Sequence, residues 1–495
     1  MFIQQMEFWL RRCTIASEAG TCGELVLMNQ EKDTAADTQV SRRGFMKNAA
    51  GIAAGAALGA ATINKVAQAQ TGVYKSILPS TIMGANERIL SGHIGIGGMG
   101  RANLGFCLMR DDIKPIALCD LWHRNLDRAS AMLSQKYEDF SRHHDFREII
   151  ENKDIDAVVI STPDHWHCLP TMYAVDAGKD IYCEKPISTT IGEARAMLDS
   201  VSASNVVFQG GTMQRSGEHF QEAVQLVRDG YVGKIARVET WSHDNTNIEG
   251  IGMGDSDIGN YEGIDWEFHQ GWTEHQPFNT NRWIYNFRWF LDYSGGKITD
   301  WGAHLIDIAI WAMGQDKEPE SIFAVGGKYL MQDNRTTPDT LDVIWEFDDY
   351  VLSFVNRVYN PVLPEGYNSH GILFHGTLGT LRVDRGGYEV TSFPENGGCE
   401  PIKRGASQMN EPHWQNFVDC IRSRDKTICD VKTLHKSSAL CHMGTCAYVA
   451  GEKLYWDPKT ERFTGNNKEA IETANAFAYR EYQNGWSLEK PYWKG

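Results

Sequence analysis

The chain has 495 residues, 42% hydrophobic and 23% charged, with a formal net charge of −16. That length exceeds one ordinary domain and allows sizeable cores, while the acidic balance excludes a general affinity for nucleic acid or anionic lipid, which needs clustered Lys and Arg. The eleven cysteines form no CxxC pair and no zinc-like Cys/His spacing, so buried free thiols are expected rather than a disulfide framework.

Residues 1–40 are mixed and polar, without periodicity. Ser41-Arg42-Arg43-Gly44-Phe45-Met46-Lys47 then precedes an apolar, small-residue stretch over 49–63 and the sequence Ala67-Gln68-Ala69. Paired arginines, a modestly hydrophobic run and an A-x-A end have the form of a twin-arginine export signal cleaved before Gln70. The run is shorter than the ~20 residues a spanning helix needs. The expectation is a protein handled by the twin-arginine export machinery and located in the periplasm or otherwise outside the cytoplasm. That route carries folded proteins, so a cofactor can be bound before export.

Residues 70–87 read as a linker. From Arg88 an apolar strand enters Gly95-Ile96-Gly97-Gly98-Met99-Gly100, and a helical run follows through Leu104 and Leu108. G-x-G-x-x-G at a strand-to-helix junction lets the backbone approach a pyrophosphate, whose charge meets free N–H groups at the helix N-terminus. Alone the motif is weak, but Ile116-Ala117-Leu118-Cys119 is a second strand ending in Asp120, 20 residues past Gly100. A carboxylate there accepts from the adenosine ribose hydroxyls and repels a 2′-phosphate, which favours NAD. Arg124 nearby leaves NADP open.

Ala157-Val158-Val159-Ile160 is the next strand and ends at Ser161-Thr162-Pro163-Asp164-His165-Trp166-His167. This loop belongs beyond the carboxyl ends of the parallel strands, where ligands bind. Thr162, Pro163, His165 and His167 are therefore expected beside the cofactor, the histidines packing on the nicotinamide. With i,i+2 spacing and no third ligand, those histidines are not expected to hold a metal. A further strand leads into Glu184-Lys185-Pro186, and Val206-Val207-Phe208-Gln209 closes the first domain near Gly211.

The second half has longer, alternating strands over 235–241, 322–329, 341–347, 351–358 and 372–383, the pattern of a mostly antiparallel sheet with one covered face. Between the first two lies an irregular, Gly- and Trp-rich segment, 244–297, and a loop this long is functional or an arm to a neighbour. Helices are expected around 413–424 and 434–451. The predicted organisation is a signal region (1–69), the linker (70–87), an NAD(P)-binding Rossmann domain (88–213), a substrate and oligomerisation domain (214–480) and a tail (481–495).

Asp300-Trp301-Gly302-Ala303-His304-Leu305-Ile306-Asp307 opens an apolar helix, and offsets of four and seven place Asp300, His304 and Asp307 on one face. A carboxylate beside an imidazole fixes its tautomer and tunes its pKa toward neutrality, as a proton-transfer base needs. A capping aspartate with a satisfied core histidine would give the same pattern.

Taken together, Gly95-x-Gly97-x-x-Gly100, Glu184-Lys185-Pro186 and Asp300-x-Gly302-x-His304-x-x-Asp307 resemble the Gfo/Idh/MocA family, named for glucose-fructose oxidoreductase and inositol dehydrogenase. The resemblance covers most of residues 88–480. It implies an α/β fold, a Rossmann domain followed by a domain with a large, mostly antiparallel open sheet often used for contacts in a homo-oligomer. It also implies that Lys185, Asp300 and His304 are the catalytic group. Oxidising a secondary alcohol requires removing the hydroxyl proton while hydride leaves carbon, so a base and a cation should meet at one oxygen. His304 is assigned as base, Lys185 as the cation that steadies the alkoxide and Asp300 as the orienter of both. Glu184 anchors the lysine loop beside the cofactor. Gln214, Arg215, Arg288, Trp289 and Asp307 are the candidates to face a sugar, glycoside or polyol. Two other readings share the fold: a glycoside hydrolase or lyase that uses tightly bound NAD for transient oxidation, and a sugar-sensing binding protein. Retention of both Lys185 and His304 favours net oxidoreduction.

Overall fold

The computed structural model describes residues 88–494. The expected export signal with its cleavage site and the expected linker 70–87 lie outside those residues. β1 (Ile89–Ile94), β2 (Ile113–Cys119), β3 (Ser141–His143), β4 (Ala157–Ile160), β5 (Asp180–Cys183) and β6 (Phe208–Gly210) form one sheet in the order β3-β2-β1-β4-β5-β6, and every pairing in it is parallel. β4 and β5 are buried at every residue, as parallel strands covered on both faces must be. The chain runs outward to β3 and then returns to β4 beside β1. The crevice at the carboxyl ends of β1 and β4 is therefore the switch point at which such sheets bind ligands.

The second sheet has ten strands: β7 (Ile235–His243), β8 (Ser321–Gly327), β9 (Thr340–Glu346), β10 (Val351–Arg357), β11 (His370–Gly376), β12 (Gly379–Asp384), β13 (Gly387–Ser392), β14 (Ile402–Gly405), β15 (Leu454–Asp457) and β16 (Arg462–Thr464). Their order is β14-β13-β12-β11-β7-β10-β9-β8-β15-β16, and β7 with β10 is a parallel pair in an otherwise antiparallel ladder. The single strand expected over 372–383 is two strands. Thr377 N and Leu378 N bond to Lys234 O and Val232 O, which ties the turn between Gly376 and Gly379 to the start of β7 and reverses the chain.

Helices Glu218–Arg228, Ala303–Met313, Val431–Ala450 and Lys468–Ala478 share a core with Val238, Val343, Trp345, Phe354 and Phe374 of this sheet. Burying each Phe or Val side chain fully contributes roughly 1.5–3 kcal/mol. Elsewhere the same sheet leaves Phe323 and Val325 of β8, Ile344 of β9 and Tyr455 of β15 exposed.

Two later segments return to the first sheet. Segment 244–297 gathers a core of its own, Trp266, Phe278, Trp283, Phe287, Trp289, Phe290 and Tyr293, against which Leu121 and Trp122 pack, and Ile264 makes a backbone bridge to Trp122. Helix Asn410–Ser423 places Trp414, Phe417 and Val418 in one cluster with Ile89, Ile113, Val159 and Tyr182, the Trp414 and Tyr182 rings stacking at 4.4 Å. The tail joins segment 244–297 to the loop after β4: Trp486 stacks on Phe268 and meets Trp166 edge-on. The nine cysteines of the described residues are free, eight of them buried.

Candidate active site

The glycine loop is built to receive a phosphate. Gly95 has φ +82°, and a side chain there would run into the backbone of Ser161 and Thr162. A Cβ on Gly97 or Gly98 would meet nothing within 4 Å, so an open cradle faces the first turn of helix Gly98–Leu108, which includes Met99, has no side-chain cap and carries no acid. Free N–H groups in that position suit a pyrophosphate. Asp120 accepts from Ile96 N at 2.8 Å, Trp122 N at 2.9 Å and Asn125 Nδ2 at 3.2 Å, binding the end of β2 to the loop; burial raises its pKa above the ordinary carboxylate range.

In the loop after β4, Thr162 borders Gly95, with Pro163 next in the chain, and both histidines are bound to backbone carbonyls. His165 is fully buried, its Nε2 against His269 O at 2.7 Å, with the rings of His269 and Tyr293 beside it. His167 has Nδ1 at 2.7 Å from Pro186 O and Nε2 at 3.0 Å from Thr162 O. Backbone carbonyls thus fix both rings through their nitrogens. His167 clamps the two loops that flank the crevice.

The peptide Lys185-Pro186 is cis. Behind it Glu184 is buried and accepts from Asn103 Nδ2 at 3.0 Å, which fixes the lysine loop to helix Gly98–Leu108; burial raises the Glu184 pKa. Lys185 Nζ crosses between the domains and donates to Asp300 O at 2.6 Å and Asp300 Oδ1 at 2.9 Å. Arg288 Nε lies 3.4 Å from the same Oδ1. Burial pushes the Asp300 carboxyl up, but Lys185, Arg288 and Lys297 overrule it and hold the group well below the usual range.

Asp300 lies in a π-helical turn, Ile298–Gly302, ahead of the α-helix Ala303–Met313. Such turns are frequent at functional sites and take in one more residue than an α turn, so the four-residue offset does not pair Asp300 with His304 as expected. Asp300 serves Lys185 and Arg288, and it acts on the imidazole only through its field. His304 is buried and makes no hydrogen bond, with Nδ1 sealed and unpartnered. Burial, then the charges of Lys185 and Arg385, drive its pKa well below the ordinary value against the pull of Asp300. The ring is therefore neutral.

Of the residues expected to face substrate, Arg288 adjoins the site through Asp300, and three are bound elsewhere. Gln214 is buried with both amide atoms unpartnered. Arg288 lies over the rings of Tyr285 and Phe287. Arg215 and Asp307 hold each other instead, with Nε–Oδ2 at 2.6 Å and Nη2–Oδ1 at 2.8 Å, both side chains buried. Trp289 is buried in the aromatic core of segment 244–297 beneath Arg335. Sequence reasoning missed Asn103, the bond from Ser294 Oγ to Asp164 Oδ2 across the domains, the pair Lys297–Asp244, and His370 and Arg385. Lys297, three residues before Asp300, was within reach; His370 and Arg385 come from strands whose pairing no local pattern reveals.

Comparison with known proteins matches residues 89–212 to the model described as "Oxidoreductase family, NAD-binding Rossmann fold" and residues 253–382 to the "GFO/IDH/MocA C-terminal domain". An uncharacterized oxidoreductase of Streptococcus pneumoniae is 23% identical over 241 residues, 48% of this chain and 54% of that protein. The scyllo-inositol 2-dehydrogenase (NAD(+)) of Bacillus subtilis is 33% identical over 289 residues, 56% of this chain and 70% of that protein. The chain spans about half the length of the first curated relatives it matches. Among solved structures, a levoglucosan dehydrogenase in complex with NADH and levoglucosan superposes with TM-score 0.56 at 18% identity, over 74% of this chain and 99% of that one. A likeness at that identity speaks to the fold.

Proposed function

We propose that this chain, which belongs to the Gfo/Idh/MocA oxidoreductase family, oxidises a secondary alcohol of a sugar, glycoside or cyclitol at the cleft between Lys185 and His304, with NAD as acceptor. The observation that carries the proposal is an ammonium gripped twice by Asp300 beside an imidazole with no hydrogen-bond partner. The open glycine cradle fits the dinucleotide, which Gly95, Gly97, Gly98, Met99, Gly100 and Asp120 would hold, with Thr162 and Pro163 alongside. When bound, NAD supplies the acceptor for the hydride that leaves the carbinol carbon.

The chain's residues do the rest. An ammonium has three donors; Lys185 spends two on Asp300 and keeps one for the substrate oxygen, where it stabilises negative charge as the O–H bond breaks. His304, neutral and without a partner, accepts that proton, and the product is a ketone. Asp300 aims Lys185, and Arg288 steadies Asp300. The name of the inositol dehydrogenase relative supports a polyol substrate.

Export through the twin-arginine route belongs to the same proposal and is supported by Arg42-Arg43 and Ala67-Gln68-Ala69; a mature N-terminus at Gln70 tests it. A homo-oligomer is supported by the exposed Phe323, Val325, Ile344 and Tyr455 and is read by sedimentation. The deciding experiment adds NAD and a panel of sugars, glycosides and inositols to protein beginning at residue 70 and follows reduced-nicotinamide absorbance. Net NADH with formation of a ketone is expected. Cleavage of a glycoside without net reduction would move the chemistry to transient oxidation, and failure to bind any nicotinamide nucleotide would overturn both.

A further inference from the structure

Arg385 and Gly386 are the two loop residues of the hairpin in which Asp384 of β12 pairs with Gly387 of β13. The Arg385 guanidinium lies 4.6 Å over the ring of Trp301, the residue between Asp300 and Gly302 in the π-helical turn of the site. It makes no hydrogen bond or ion pair, and its Nε is sealed without a partner.

The nearby acids are engaged elsewhere. Asp384, next to it in the chain, accepts from Gly386 N at 2.7 Å, Asn368 Nδ2 at 2.8 Å and Arg382 Nη1 at 2.9 Å. Asp300 holds Lys185 and Arg288, and Asp244 holds Lys297 through both oxygens. Asp164 and Glu184 are buried, bound by Ser294 and Asn103. Among the described cations of the site, Arg385 is the one without a carboxylate. Its surroundings repeat the pattern: the His370 ring lies 4.2 Å from the Trp301 ring with Nε2 sealed and unpartnered.

Holding a partly buried charge with no carboxylate in contact is costly, and burial pushes the Arg385 pKa down to about 10 against the pull of Asp300. A planar guanidinium held in this way matches the two oxygens of one carboxylate. A single such fork suits a carboxylate, whereas a phosphate monoester, with more charge and more acceptors, calls for clustered cations. The acidity of the chain, −16 overall, would repel an acidic ligand at long range, so selective uptake of one requires a local cation left free.

We propose that Arg385, carried on Trp301 and flanked by His370, is an anion subsite of the active site, and that the substrate is a sugar acid whose ring carboxylate pairs with it. This rests on the oxidoreductase reading of the same cleft. It is tested first without turnover, by calorimetry on the NADH-loaded protein with methyl glucuronoside against methyl glucoside and with methyl galacturonoside against methyl galactoside. In at least one pair the acid is expected to bind about tenfold to a hundredfold tighter, with the ratio shrinking as salt is added. In Arg385→Gln that ratio should fall close to one with an unchanged melting temperature, and Arg385→Lys should restore part of it. Equal binding of acid and neutral partner, no binding of either acid, tighter binding of glucose 6-phosphate than of the uronoside, or an unchanged ratio in Arg385→Gln would each overturn the subsite. Acid-selective binding with no NADH formed from any substrate would uphold the subsite and count against the oxidoreductase reading alone.

Discussion

His304 and Asp307 stand about one turn apart on one helix and belong to two different regions. Around His304, polar groups are buried without partners: its own Nδ1, Nε2 of His370 and Nε of Arg385. Around Asp307, satisfaction is complete, with Arg215 bound through two short hydrogen bonds and its guanidinium over Trp311. Unsatisfied buried groups destabilise a fold, so those around His304 are where a ligand would complete the structure. The paired region beneath it is what keeps the incomplete one in place.

That contrast can be broken most sharply in the cleft. Lys185→Ala and His304→Ala should each lower kcat by roughly 10² to 10⁴ while nucleotide binding and the melting temperature hold; a large loss of stability would show that these side chains brace the fold. In the paired region the effect should move to stability. Asp307→Ala or Arg215→Ala leaves a buried charge alone and should cost about 3–5 kcal/mol in denaturant unfolding, whereas an apolar replacement of both partners should recover most of it. Trp289→Phe should cost about 1–2 kcal/mol and leave KM within about twofold, since the ring packs inside segment 244–297. A large rise in KM would return Trp289 to the substrate.

The smallest expected effect is the absence of one. Because His304 is held well below its ordinary pKa, its base form persists as the pH falls, so kcat/KM per folded molecule should show no limb centred near 6.5. Stability should behave otherwise. Burial pushes His93 and His442 down to about 3 and His413 to about 4, so below pH 6.5 the unfolded chain binds protons that the native one refuses. Unfolding free energy should therefore decline from pH 6.5 toward 4, and acid titration of thermal unfolding measures it.

Much of this architecture was legible before any coordinates. The glycine cradle, the apolar run of β4, and the Glu-Lys-Pro and Asp-x-Gly-x-His sequences announce a Rossmann fold and a candidate reacting group because together they form a combination of local patterns that few other arrangements share. The π-helical turn was not legible, since it differs from an α-helix by a single residue of offset, and the break between β11 and β12 was hidden by an alternation that runs on through the turn. The carbonyl partners of His165 and His167 were not legible because a loop sequence does not show which carbonyls its side chains will find. Arg385 and His370 were missed for the most general reason: strand pairing brings them to Trp301 from 84 and 69 residues further along the chain.

Helix Asn410–Ser423 sets a schedule for biosynthesis. Trp414, Phe417 and Val418 belong to the same cluster as Ile89 and Tyr182, so the nucleotide-binding half lacks part of its own interior until residues far downstream have left the ribosome. A nascent chain stopped at residue 213 would expose that face, and a separately expressed 88–213 fragment should collect in inclusion bodies. Completion of the nucleotide-binding half thus waits until translation is nearly complete.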